Sequence, residues 1–169
     1  MEAARRRERI LERLNAAGTP VPASTLGSEL GVSRQIVVGD VALLRAAGQA
    51  IRATNRGYVL AHPTTRARRS FHVTHDRDLL DAELSAIIDA GGTMVDLSIP
   101  HAAYGRVTVD LLVRDQEDIA QLLEQLGRSP LLSELTNGYH SHTVEADDEA
   151  TLDAVHTALD ALGILVHED

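Results

Sequence analysis

The chain of 169 residues contains no cysteine and no tryptophan, and only one phenylalanine and three tyrosines. Without cysteine, a disulfide framework and a thiolate metal site are both excluded. With aromatics at 2% of residues, the core must be built from Leu, Val, Ile and Ala, for which a hydrophobic content of 44% is sufficient. Lysine is absent too, and all 16 basic residues are arginine. No apolar run approaches the eighteen residues of a membrane helix. The opening "MEAARRRERI" has no apolar segment of the secretory kind. The expectation is a soluble cytoplasmic protein with no membrane partner.

What is present is unevenly distributed. Residues 1–70 hold 12 Arg against 5 acids, a charge of +7. Residues 71–169 hold 4 Arg against 20 acids, a charge of −16, within the total of −9. A basic head on an acidic body suits contact with a polyanion, because phosphates need cations only where contact is made.

Within residues 1–62, "RRRERILERLNAAG" carries Ile10, Leu11 and Leu14 at helical spacing and ends at Gly18, a C-cap candidate. Leu26 and Leu30 lie one turn apart. Gly31 can take a left-handed turn, Val32 anchors it, and Ser33 can cap a helix whose buried stripe is Ile36, Val37, Val41 and Leu44. Short helix, glycine turn and capped second helix are helix-turn-helix punctuation. Two short strands around Asn55-Arg56-Gly57 add a wing. The second helix would read DNA with Ser33, Arg34 and Gln35 at its start, since Arg and Gln match guanine and adenine edges. Arg56 at the wing tip, and Arg5, Arg6 and Arg7, could reach phosphates. Mid-helix Gly39 shows no side chain to DNA and could admit a close approach.

Residues 61–70, "AHPTTRARRS", lack apolar periodicity and read as a linker whose arginines could also touch DNA. The body, residues 70–169, then alternates as β-α-β-β-α-β-α-β and ends in a strand "ILVHE". The first six elements match a split βαβ, ferredoxin-like plan, so the fold class is α+β. Its "YHSHTVEA" stretch raises the sharpest chemical question. His140 and His142 are two apart in a strand and project to one face. Neutral imidazoles there suit Zn, Ni, Fe or Cu. His75 sits at a strand-to-helix junction, and Glu83 borders the buried face of the helix "DRDLLDAELSAIIDAGG", which places Leu79, Leu80, Leu84, Ile87 and Ile88 inward. Three histidines and a glutamate would make a ligand set. A His-x-His pair on a strand is equally a surface or catalytic pair, and spacing does not separate these readings. No phosphate-cradling glycine loop or nucleophile turn accompanies it, so an enzyme is not expected.

The stretches "VTHD", "ELSAIIDAGG", "IPHAAYG", "PLLSELTNG" and "YHSHTVEA" resemble the 3H domain, a bacterial regulatory module. "LGVSRQIVVGDVALLRAAG" and "IRATNRGYVL" resemble the winged helix joined to it in niacin-responsive transcriptional repressors. The resemblance covers nearly the whole chain. It implies homodimers on a palindromic operator, repression of niacin uptake or salvage genes, and nicotinic acid as co-repressor. It places a divalent transition metal on His75, Glu83, His140 and His142, and sets His101 near the ligand. Tyr104 and Arg106 are the neighbouring candidates for effector contact. An open metal position could take one ligand group, and Arg106 or a strand-end backbone amide the other. A metal-responsive repressor, with the ion itself as signal, is the alternative. Two departures stand out: Gly39 where a larger polar residue is expected, and Ala102 where a proline is usual.

Overall fold

A computed structural model describes residues 2–61 and 65–167. The chain forms two compact units, Met1–Thr64 and Thr65–Asp169. In the first, helices α1 (Ala3–Ala16), α2 (Ala23–Leu30) and α3 (Arg34–Ala46) precede a hairpin of β1 (Ile51–Thr54) and β2 (Gly57–Leu60). Ile10, Leu14, Leu26, Val37, Val41, Leu44 and Ile51 bury their side chains together as its core. Gly31 closes α2 at φ 68° and ψ 33°, a left-handed cap that costs any residue with a Cβ. Ser33 then opens α3, its side chain accepting the amide of Ile36 at 3.3 Å.

Two expectations for this unit change, and a buried acid joins its core. Helix α1 ends at Ala16 with Ala17 as its cap, so Gly18 is not the C-cap. Ile36 is 42% exposed rather than in the buried stripe, because the α3 face that meets the core runs through Val37, Asp40, Val41 and Leu44. Asp40 is buried because Arg6 of α1 pairs with it, Nε to Oδ2 at 2.5 Å, and Arg7 reaches its other oxygen at 3.6 Å.

The second unit holds β3 (Ala67–Thr74), α4 (Leu80–Asp89), β4 (Thr93–His101), β5 (Gly105–Val113), α5 (Gln116–Leu126), β6 (Tyr139–Ala146) and α6 (Glu149–Ala161). Asp76 caps a 3-10 turn, Arg77–Leu79, that leads into α4, which leaves Leu79 36% exposed instead of inward. A second 3-10 turn, Leu132–Thr136, precedes β6. The four strands form an antiparallel sheet in the order β3-β6-β4-β5. Strands β3 and β4 are therefore parallel, with β6 between them, which is a split βαβ unit. The order departs from the ferredoxin-like one in putting the last strand, not the first, among the central pair. Phe71, Val73, Met94, Leu111, Val113 and Val144 turn one face of the sheet toward α4, α5 and α6 and form the core.

The expected final strand is one bridge, Val73 to Leu165, on the outer edge of β3. Helix α6 runs to Ala161, and a turn with Gly163 at φ 70° leads to that bridge. Glu168 lies outside the described residues. The expected linker is shorter than 61–70, since β3 starts at Ala67, and residues 62–64 lie outside the described residues. Its arginines are occupied within the body. Arg66 pairs with Glu145 and Asp147, Arg68 with Glu145, and Arg69 with Glu149 and Asp153. Acids of β6, of α6 and of the turn between them pair with this stretch.

Candidate metal centre, ligand cavity and DNA-reading helix

Alternation along β6 sends His140 and His142 to the helix-covered face, opposite Val73 and Phe71 of β3. Glu83 comes down from the buried side of α4, with 0% exposure, and His75 closes the group from the end of β3. Glu83 Oε2 lies 2.7 Å from His75 Nε2. Glu83 Oε1 lies 3.3 Å from His140 Nε2 and 3.0 Å from His142 Nε2. The His75 and His140 rings stand edge to face at 4.8 Å, as do those of His140 and His142. All four predicted ligands are thus brought together, and none is more than 8% exposed.

The outer nitrogens decide the chemistry. His75 Nδ1 donates to the Asp76 carbonyl at 2.6 Å, His140 Nδ1 to that of Gly138 at 2.9 Å, and His142 Nδ1 to that of Asp96 at 2.9 Å. A carbonyl only accepts, so each Nδ1 carries a proton and each neutral ring presents an Nε2 lone pair inward. Three lone pairs and a carboxylate on one point form a cation site, and the Nδ1–carbonyl bonds are the outer shell that orients metal-binding histidines. Ligand atoms of His75, Glu83 and His140 lie within 4.8 Å of one another. His142 Nε2 and Glu83 Oε1 face each other without hydrogen-bond geometry, two buried polar atoms left unsatisfied. The residues fit a first-row divalent ion such as Zn, Ni or Fe. The site is closed to solvent by its own donors.

The charges reinforce this. Burial pushes the Glu83 carboxyl up, but His142, His140 and His75 outweigh it and hold it well below the ordinary 4.5. Burial pushes His75 and His142 down, and Glu83 outweighs it, so both imidazoles lie above the ordinary 6.5.

The effector candidates separate. His101 and Arg106 line a cavity of about 470 Å³ with Ser98, Tyr139 and Ser141. Tyr104, at the hairpin tip, is 79% exposed and stacks beside the His101 ring at 4.7 Å. Tyr139 and Ser141 alternate with His140 and His142 along β6, so they meet the cavity from the opposite face of the sheet. Arg106 shares this face with Ser98 and Ser141, whereas His140 and His142 face the helices. Ser98, Tyr139 and Ser141 were not singled out in the sequence, although the alternation that pairs His140 with His142 also pairs them.

In the head, Arg34 and Gln35 are exposed at the start of α3, beside the cap Ser33. Arg56 is half-buried in the wing turn, its amide held by Thr54 Oγ1. Arg5 is exposed, whereas Arg6, placed with it among the phosphate contacts, is drawn onto Asp40. At Gly39 a Cβ would meet nothing within 4 Å, so no backbone of the head presses on it.

Comparison with known proteins adds identity to this geometry. The HTH domain family matches residues 6–59 and the 3H domain family residues 68–168. A probable transcription repressor NiaR of Thermotoga maritima is 38% identical over 163 residues, covering 95% of this chain and 91% of that protein. The transcription repressor NadR of Bacillus subtilis is 33% identical over 171 residues, covering 98% and 95%.

Three outcomes follow from the geometry. Gly138 has φ 90°, and a Cβ there would run into the His75 backbone well inside 3.0 Å. Gly138→Ala is expected to cost about 1–3 kcal/mol in urea unfolding and to weaken metal binding about 10-fold in a competition titration, since it displaces the His140 partner. In metal-free protein, Glu83's contribution to stability is present above pH 4.5 and lost as pH falls through its lower folded value. Those of His75 and His142 are present below pH 6.5 and lost as pH rises through their raised values. Metal needs the neutral rings, so the rise in melting temperature on adding Zn should grow from pH 5.5 to about pH 8; a shift that shrinks over that range would contradict the site. In the head, Arg6→Gln should lower the melting temperature without changing the salt dependence of DNA binding, while Arg5→Gln should reduce the salt slope by about 1.

Proposed function

The chain belongs to the family of transcription repressors that join a helix-turn-helix head to a 3H domain, and on that premise we propose that it represses genes of niacin uptake or salvage with nicotinic acid as co-repressor. It is a DNA-binding regulator and not an enzyme. The observation that carries the sensing half of this reading is the closed convergence of His75, His140 and His142 on Glu83, within a body whose relatives are named for repression.

Arg34 and Gln35 read base edges in the major groove from the start of α3. Ser33, Arg5 and Arg56 contact the sugar-phosphate backbone. Two heads of a homodimer take the two halves of a palindromic operator. Arg6 contributes indirectly, by fixing α1 to α3 through Asp40. The divalent ion, when bound, supplies the positive charge that satisfies Glu83 and the three Nε2 lone pairs. Those four residues then tie β6 to α4 and to the end of β3, which keeps the strand in one position. His101 and Arg106 contact the effector, with Tyr104 at the rim. No described helix is long and apolar enough to cross a membrane, and the protein acts in the cytoplasm.

A co-repressor tightens DNA binding only by favouring the DNA-competent state. Fluorescence anisotropy of metal-loaded protein on its own upstream DNA, at fixed salt, should show nicotinic acid tightening binding about 10-fold, which is about 1.4 kcal/mol of coupling. His140→Ala should abolish that dependence; if it leaves the effect intact, the sensing scheme is wrong. Tightening by metal alone, with no response to nicotinic acid, would select the metal-responsive reading, which the closed donor set also suits.

A further inference from the structure

The exposed side of α3 carries an apolar notch to which the base contacts of Arg34 and Gln35 give no role. Ile36, Gly39 and Leu43 are spaced i, i+3, i+7 and so lie along one side of the helix. Ile36 is 42% and Leu43 58% exposed. Gly39 between them is exposed, and a Cβ built on it would meet nothing within 4 Å. Neither the core of the head nor a turn requires a glycine here. A glycine inside a helix is less stable than alanine would be, so what it makes room for lies outside the head. The notch runs about 10 Å along the helix axis, at about 1.5 Å per residue. Gly39 is its floor, and two branched side chains are its ends.

The charges around the notch indicate what fills it. Arg34 and Gln35 begin the helix and Arg45 is in its last turn, all exposed. The one acid of α3, Asp40, is 4% exposed and turned onto Arg6. A helix face that is apolar in the middle, cationic at both ends and without an exposed carboxylate complements a polyanion that presents an apolar group. Among the edges that B-DNA shows in its major groove, the C5-methyl of thymine is the apolar one. That groove is about 12 Å wide and admits a helix, so the notch on α3 meets base edges and not only phosphates. Cytosine in the same place would set its N4 amino group against Ile36 and Leu43 without an acceptor, a desolvated donor left unpaired.

We propose that the Ile36–Gly39–Leu43 notch seats a thymine C5-methyl in each half of the operator, so that α3 selects T·A over C·G at one position per half-site. This seat rests on α3 entering the major groove, as in the reading above. It adds to Arg34 and Gln35 a contact that needs no hydrogen bond. Gly39 lets the helix backbone come close to that base pair, and a larger residue at the same position would hold it away.

Anisotropy titration of the metal-loaded full chain on its own upstream DNA, at fixed salt and with nicotinic acid present throughout, tests this. Deoxyuridine replaces thymidine at one symmetric pair of positions at a time; it pairs as thymidine does and lacks only the methyl. At one such pair the wild-type protein should lose about 15-fold in affinity, about 4-fold per methyl, and elsewhere the change should stay within about twofold. Ile36→Ala should bind the thymidine duplex more weakly and lose that response to deoxyuridine, a coupling that a purely structural residue does not show. Gly39→Ala should keep or raise the melting temperature yet weaken operator binding about 10-fold or more. Deoxyuridine without effect at every position, or a deoxyuridine penalty that Ile36→Ala retains in full, overturns the proposal. So does wild-type operator affinity in Gly39→Ala. Arg34→Gln separates this from the placement of α3. If it loses operator affinity while deoxyuridine does nothing, α3 reads bases and the notch does not. If Arg34→Gln, Ile36→Ala and Gly39→Ala all bind the operator as wild type does, the placement of α3 in the groove falls with the notch.

Discussion

A carboxylate with no exposure, facing three imidazoles, is the constraint on which the rest of the body depends. An isolated buried charge of that kind is costly, and partners must offset it. Glu83 brings α4, His75 the end of β3, and His140 and His142 the middle of β6. Each histidine is in turn fixed by a backbone carbonyl, those of Asp76, Gly138 and Asp96. Gly138 is there because its carbonyl faces His140 while its α-carbon lies against the His75 backbone, a placement that a Cβ would block. The group therefore couples three elements whose apolar contacts alone would specify only approximate positions.

The head has its own counterpart in Asp40, the buried acid of α3. Its partners Arg6 and Arg7 come from the arginine-rich start of α1. A cluster that reads as uniformly phosphate-directed is thus divided. Part of it positions α3, and part, including exposed Arg5, remains available to DNA. Arg66, Arg68 and Arg69, by contrast, all meet acids of the body.

Much of this was legible from periodicity. Gly31 and Ser33 announce the turn and cap of the helix-turn-helix, and two-residue alternation announces that His140 and His142 share a face. The convergence of His140, His142 and Glu83 is legible because alternation and helical phase are local rules. The strand order is not, since β6 pairs with β3 and β4 through contacts some 70 and 45 residues apart in sequence, a matter of tertiary assembly and not of local pattern. For the same reason, the face that Arg106 shares with Ser98 and Ser141 is not legible from local pattern. Ile36 and Leu79 were assigned inward from a hydrophobic stripe, which has a width of about 100° and does not fix residues at its margin. Asp40 could have been suspected, since it falls between Val37 and Val41 on the buried side of α3.

The central position of β6 gives the alternation a further meaning. In a strand, sliding the register by a single residue exchanges the two faces. Here that slip would carry Tyr139 and Ser141 into the protein interior and place imidazoles where serines stand, disabling both faces at once. An edge strand, paired on one side, resists such slippage weakly. β6 is paired on both sides, to β3 along its whole length and to β4 at Thr93, Met94 and Ser98. The departure in strand order is thus a form of error protection: the strand whose phase cannot be wrong is one of the two clamped from both flanks.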